Sequence, residues 1–177
     1  MEKLKQSHNV NIHWRSYELR PPGAPPLPPE YLARIEASRP RLYTTAKEQY
    51  GLTLNVGPFG VDSRPALIGA KFAEEHGSGK AYHDAVFRAY WLDAKVISDL
   101  DVLVEVATAV SLDPDGFLAA LNDPYYRSQM EADVEQAHAY GLSGVPALVY
   151  DNKYLVSGAQ PYEVLVEVAE KALENSD

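Results

Sequence analysis

The sequence predicts an α/β protein in which a long helical block interrupts a small mixed sheet. Three observations carry this prediction: an alternating apolar segment near the start of the chain, helical periodicity with repeated cap signals from 61 to 140, and two short apolar runs followed by an amphipathic segment at the end. The chain has 177 residues, of which 46% are hydrophobic and 23% charged. This composition is typical of one folded domain, with or without an insertion.

The first part of the chain predicts a strand, a connector and a helix. Apolar and polar residues alternate in Val10–Leu19, which indicates a strand. Six prolines follow within Arg20–Glu30 and predict a stiff, extended connector. Tyr31–Gly51 contains a helix that we expect to end at Gly51, with Pro40 marking a break or a helix start.

The block from 61 to 140 predicts about five packed helices. Asp113 before Pro114 and Asp123 before Pro124 each place a capping carboxylate ahead of a proline at the first helical position. Ser98 with Asp101 resembles a capping box. Two apolar stripes have helical spacing, and their members are Leu100, Leu103, Val104 and Ala107, then Tyr126, Met130, Val134 and Ala137.

The end of the chain predicts a hairpin and a final helix. Ala147–Tyr150 and Tyr154–Val156 are short apolar strands, and Asp151-Asn152-Lys153 between them suits a tight turn. Pro161 opens the last helix.

Composition also excludes several classes of function. The formal charge of −9 disfavours nucleic-acid binding, and no apolar run has the ~20 residues that span a membrane. The start of the chain has no signal-like apolar stretch, so we expect a soluble, cytoplasmic protein. The chain has no cysteine, which excludes disulfides, thiolate ligands and dithiol chemistry within it. The five histidines show no metal-binding spacing, so no metal ligand is assigned.

Four segments carry a resemblance that spans nearly the whole chain. They read WRSYELRP from Trp14, DSRPAL from Asp62, HDAVFRAYW from His83 and GLSGVPALVYDNKYLVSGAQPYEVL from Gly141. They resemble the DsbA-like thioredoxin-fold family, most closely its FrnE-type branch of dithiol oxidoreductases. The resemblance implies a thioredoxin-like domain formed by residues 1–60 and 141–177, with residues 61–140 as an inserted helical domain.

The resemblance also implies a substrate site. Members of the family carry a cis proline that faces the redox site, and the matching residues here are Gly144, Val145 and Pro146. A free backbone edge at Val145 could pair with an extended substrate. Gln160, with the N–H groups of the final helix, either receives an anionic group such as a glutathione carboxylate or is an N-cap without a ligand. These four residues are the candidate substrate-binding residues, and no catalytic residue is assigned.

The family pattern opens with a strand and a Cys-x-x-Cys motif at the start of a helix, and this chain shows neither. Met1–Gln6 resembles the last turns of that helix, so about twenty residues are expected to be missing. Either the chain begins at an internal methionine of a longer gene, or it is a degenerate member. We expect a homodimer partner or further N-terminal residues to complete the sheet, in preference to an inward shift of Val10–Leu19.

Three functions follow as alternatives. The first is a relative of thiol–disulfide oxidoreductases, a family whose substrates are peptides or thiols, that is redox-inactive in this cysteine-free form. The second is a glutathione-dependent isomerase or transferase of the hydroxychromene-carboxylate isomerase and kappa type; only this alternative implies a cofactor, glutathione. The third is a non-catalytic module that binds peptides. None of the three implies a nucleic acid or a membrane as partner.

Overall fold

The computed structural model describes residues 1–175, in which eight helices and two strands are present. The elements in chain order are α1 (Glu2–Ser7), α2 (Pro29–Tyr50), α3 (Arg64–Glu75), α4 (Gly79–Trp91), α5 (Leu100–Ala109), α6 (Pro114–Leu121), α7 (Pro124–Ala139), β1 (Ala147–Tyr150), β2 (Tyr154–Ser157) and α8 (Tyr162–Glu174). None of the helices in this part of the chain is long and apolar enough to cross a membrane.

The chain divides into two compact units. Met1–Leu19 and the chain from Glu131 onward form the hairpin unit, while Arg20–Met130 form the helical unit. This division differs from the domains that the resemblance implies, 1–60 with 141–177 and 61–140, which stay a prediction. In the contact units α2 belongs to the helical unit, and the boundary falls inside α7.

The helical unit has an aromatic core. Tyr82 and Phe117 are almost fully buried with ring centroids 5.6 Å apart, and Phe72 meets Phe117 edge-on at 6.0 Å. Five helices lie within 61–140, as predicted. The two predicted aspartate caps are also confirmed, because Asp113 accepts the N–H of Gly116 at 2.6 Å and Asp123 accepts the N–H of Tyr125 at 2.8 Å.

The hairpin unit contains the sheet. β1 and β2 are antiparallel, with Ala147 opposite Ser157 and Tyr150 opposite Tyr154. Asp151 and Asn152 have φ of 49° and 53°, which is the left-handed backbone of a tight hairpin turn. The hairpin and the final helix are therefore confirmed, although α8 begins one residue after Pro161. α8 packs against both strands and against α1.

The predicted strand at Val10–Leu19 is wrong. The segment runs without helix or strand structure, and within residues 1–175 the only partner of β1 is β2. A strand needs a neighbour for its N–H and C=O groups, whereas the buried N–H of Ser16 is donated to the carboxylate of Asp133 on α7 at 2.9 Å. The alternating pattern predicted an extended backbone and could not supply a pairing partner.

Three smaller expectations need correction. Pro40 neither breaks nor starts a helix, because α2 continues through it to Tyr50 and ends at Gly51 with φ of 66°. Asp99, not Ser98, caps α5 by accepting the N–H of Asp101 at 2.9 Å. Leu100 belongs to the predicted buried stripe of α5 and is nevertheless 45% exposed.

Candidate functional site

The loop before β1 is set by the end of α7. The N–H of Gly141 is donated to the carbonyl of His138 at 2.9 Å, and the N–H of Leu142 to that of Ala137 at 3.0 Å. Gly141 has φ of 71°, the left-handed backbone that glycine adopts without strain at helix ends. The chain thus leaves α7 in a fixed direction and reaches Gly144 three residues later.

Three of the four predicted site residues form the entry to β1. The Val145–Pro146 peptide bond is cis. The side chain of Val145 is 49% exposed, and neither its N–H nor its C=O forms a hydrogen bond with any described residue. Pro146 is held in place, because its carbonyl accepts the N–H of Gly158 at 2.8 Å.

The fourth residue, Gln160, lies at the same end of the hairpin but does not cap the last helix. Pro161 is the N-cap of α8 and makes no side-chain capping bond. The side-chain amide of Gln160 instead donates from Nε2 to the carbonyl of Ser157 at 2.8 Å. This bond holds the loop to the end of β2, and the bond from Gly158 to Pro146 ties the same loop to the entry of β1.

One edge of β1 is open. Every residue of β1 is half-buried, and its hydrogen-bonded neighbour is β2. An antiparallel strand directs its N–H and C=O groups alternately to its two sides, so a strand with one neighbour leaves half of them on the other side. The unpaired backbone groups of Val145 extend this open edge by two residues.

Sequence reasoning missed a residue that organises the surroundings of the loop. Asp133 is 4% exposed and accepts hydrogen bonds from the backbone N–H of Ser16 at 2.9 Å and from Nη1 of Arg15 at 3.0 Å. Next to this anchor, the hydroxyl of Tyr17 donates to the carbonyl of Leu142 at 3.5 Å. The signal was an acid inside the apolar stripe of α7, three residues after Met130 and four before Ala137.

The loop at Val145 offers backbone groups and no reactive side chain. Gly144, Val145 and Pro146 carry no ionisable side chain, and the chain has no cysteine. At the far end of β1, burial raises the pKa of Tyr150, whose hydroxyl donates to the carbonyl of Leu165 at 3.3 Å. Among the described residues, no cluster of three or more His, Asp or Glu side chains could hold a metal ion.

Comparisons with known proteins place these features in a family. The family model of the DSBA-like thioredoxin domain matches residues 1–169. An uncharacterised Bacillus subtilis protein, YwbO, is 26% identical over 167 residues, which is 89% of this chain and 80% of that protein. The thiol:disulfide interchange protein DsbA of Azotobacter vinelandii is 35% identical over 81 residues, covering 46% of this chain and 38% of that protein.

Solved structures agree with this fold. A probable DsbA oxidoreductase from Streptomyces coelicolor superposes with a TM-score of 0.74 at 29% identity, covering 84% of this chain and 66% of that one. A 2-hydroxychromene-2-carboxylate isomerase reaches a TM-score of 0.76 over 98% of this chain and 84% of that one, and at 20% identity it is similar in fold alone. The chain spans less than two thirds of the length of the Azotobacter and Streptomyces proteins. With a family model that matches nearly its whole length, this chain belongs to the DsbA-like thioredoxin domain family.

Proposed function

We propose that this chain binds an extended peptide segment at Val145 and along the open edge of β1, without carrying out thiol–disulfide exchange itself. The observation that carries the proposal is the exposed Val145, whose N–H and C=O have no partner among the described residues. An extended peptide recognises a strand edge through main-chain hydrogen bonds, and those bonds require no particular side chain from the peptide. The site therefore suits unfolded polypeptide of varied sequence.

The absence of cysteine supports the second half of the proposal. Thiol–disulfide exchange begins with attack of a thiolate on a disulfide sulfur. The 177 residues contain no thiol, so the chain has no group that could form the mixed disulfide. We therefore expect it to retain the polypeptide-binding half of the family's activity and to lack the redox half.

Gln160 has a structural role at the end of the hairpin. Its Nε2 donates one of its two N–H groups to the carbonyl of Ser157. The other N–H and the uncapped first turn of α8 stay compatible with a carboxylate, so glutathione remains the alternative ligand.

The FrnE-type branch and a cytoplasmic location are further parts of the proposal. The FrnE-type branch is supported by the segments from Trp14, Asp62, His83 and Gly141. A homodimer partner or further N-terminal residues, either of which would complete the sheet, are alternative occupants of the open edge. Sedimentation analysis of the chain with and without unfolded polypeptide distinguishes the dimer from peptide binding, because a dimer would be present before the polypeptide is added.

The binding experiment uses two matched variants of the same hairpin. Val145 and Leu155 are both 49% exposed, but only Val145 lies at the proposed site. We expect Val145→Asp to weaken binding of fluorescent, reduced and carboxymethylated α-lactalbumin by at least about tenfold, because a charge would have to be desolvated beneath the peptide. Leu155→Asp should leave the anisotropy titration unchanged. An equal loss of affinity in both variants, or no binding of the polypeptide by the parent chain, would contradict the proposal.

An insulin-reduction assay tests the redox half separately. Because the chain has no thiol, turbidity in the presence of dithiothreitol should develop at the rate of the protein-free control. A reproducible acceleration by the purified chain would show a catalytic route that the proposal does not contain.

A further inference from the structure

The helical unit has an open cavity of about 250 Å³ that the peptide site does not involve. It lies where the first residues of α3 and α5, the end of α6 and the first turn of α7 come together. All the residues that line it belong to the stretch Arg20–Met130. The cavity is therefore a feature of a single compact unit.

Its walls are aliphatic. They are formed by Pro65, Ile68, Leu100 and Leu121, of which Ile68 and Leu121 are buried while Leu100 is 45% exposed. Single exposed apolar side chains are common on protein surfaces, so the exposure of Leu100 alone does not indicate a ligand. Together with the buried Ile68 and Leu121, Leu100 offers an aliphatic surface to an apolar group that enters the cavity.

Its rim carries three charged side chains, those of Arg64, Arg127 and Asp62. The Oδ1 atom of Asp62 accepts the backbone N–H of Arg64 at 2.9 Å. Arg64 already has an interaction partner among the described residues, so we do not assign the ligand to it. Arg127 is exposed and forms no ion pair with any residue among 1–175, so its guanidinium is available to an incoming anion.

The helix starts at the cavity already have acidic partners. The N–H of Arg64 at the start of α3 is donated to Asp62, that of Asp101 on α5 to Asp99, and that of Tyr125 on α7 to Asp123. The helix ends therefore add no uncompensated positive charge, and the cation available to a ligand is Arg127 in the first turn of α7.

From the combination of an aliphatic wall and the exposed guanidinium of Arg127 we infer that the cavity binds a small carboxylate with a branched aliphatic body. The guanidinium of Arg127 matches a carboxylate in a paired, charge-assisted geometry, and the aliphatic part contacts Ile68, Leu100 and Leu121. The volume is below the usual range of ~300–1,000 Å³ for drug-sized ligands, which restricts the ligand to a body of a few carbons.

The test is an NMR titration of the full chain with isocaproate and with its neutral amide. For a ligand of this size we expect a dissociation constant on the order of a millimolar, with the largest shifts at Ile68, Leu100 and Leu121. Isocaproamide should bind about tenfold more weakly, because it lacks the charge that the guanidinium recognises. Equal affinity for acid and amide, or no saturable shifts at these residues, would overturn the inference.

Two arginine variants complete the test. Arg127→Gln should weaken isocaproate binding about tenfold while leaving the affinity for the amide unchanged. Arg88→Gln is the matched control, because Arg88 is also exposed, belongs to the same unit and lies on α4 away from the cavity. An equal effect of both substitutions would show a general charge effect and contradict a site at Arg127. Isocaproate should not change the peptide titration at Val145, so the two sites are tested independently.

Discussion

At the residue scale, Asp133 shows how a buried charge organises a segment that lacks secondary structure. Its carboxylate is 4% exposed and accepts the N–H of Ser16 and Nη1 of Arg15, whose own side chain is 60% exposed. A buried carboxylate is tolerated only when its oxygens are hydrogen-bonded, and here both are. These bonds fix Val10–Leu19 beside the end of α7, close to the loop that carries Val145.

Replacement of Asp133 by alanine tests this role. Asp133→Ala leaves the buried N–H of Ser16 without an acceptor, and we expect the free energy of unfolding to fall by about 2–3 kcal/mol. Glu135→Ala is the control, since Glu135 is exposed on the same helix and should change the stability by less than about 0.5 kcal/mol. Urea denaturation of both variants measures the difference, and similar values for the two would contradict an anchoring role.

At the element scale, local signals predicted the elements that depend on local chemistry. Asp113 and Asp123 cap their helices, and the left-handed residues Asp151 and Asn152 close the hairpin, because these features are decided within a few residues. The predicted strand at Val10–Leu19 was wrong because a strand also needs a pairing partner, which the sequence of the segment does not reveal. The resemblance to the family implied Val145 and Pro146, whereas Asp133 was missed because it acts on a segment 117 residues away.

The packing of α3 gives a prediction whose sign separates two physical effects. A Cβ atom on Gly69 would lie 2.6 Å from the hydroxyl of Tyr82 and 2.6 Å from the ring of Phe117. Helix propensity alone would make Gly69→Ala stabilising by about 1 kcal/mol, whereas overpacking costs about 1–3 kcal/mol. We expect the clash to dominate and the variant to be destabilised.

Repeating Gly69→Ala in a chain that also carries Phe117→Leu identifies which side chain causes the loss of stability. Phe117→Leu removes ring atoms that face Gly69, so Gly69→Ala should cost less in this background than in the parent chain. Chemical denaturation of the four proteins gives the coupling energy. A coupling near zero would mean that Phe117 does not limit the space at Gly69.

At the scale of the whole molecule, the two units have separate sources of stability and separate candidate sites. The helical unit is built around Tyr82 and Phe117, and the hairpin unit around α8 and the two strands. Capping and turn residues predicted the helices and the hairpin. They could not place the unit boundary inside α7, because that boundary depends on contacts between distant residues. The peptide site and the carboxylate cavity are correspondingly expected to respond to different substitutions.

The buried tyrosines should make the free energy of unfolding depend on pH in the alkaline range. Burial raises the pKa of Tyr82, Tyr90 and Tyr150, so the folded chain keeps their protons at a pH where the unfolded chain releases them. Their contribution is complete below the unfolded pKa of about 10 and is lost as the pH rises above it. Stability should therefore be level below that pH and fall above it.

Tyr82→Phe tests the largest part of this effect, because the side chain of Tyr82 is 1% exposed. Between pH 10 and 11.5 the variant should lose stability less steeply than the parent, by up to about 1.4 kcal/mol per pH unit. Tyr50→Phe, at a position that is 70% exposed, should leave the slope unchanged. If the free energy of unfolding falls equally steeply with pH in the parent and in Tyr82→Phe, the effect does not come from Tyr82.

The central claim is that the unpartnered backbone of Val145 pairs with an extended peptide, and amide hydrogen exchange of the intact chain tests it most directly. Because the N–H of Val145 has no acceptor in the described chain, it should exchange at nearly the unprotected rate in the free protein. Saturation with carboxymethylated α-lactalbumin should slow exchange at Val145 by at least about tenfold, since the amide becomes hydrogen-bonded to the bound peptide. Exchange at Val145 that is unchanged while the polypeptide is fully bound would contradict the account.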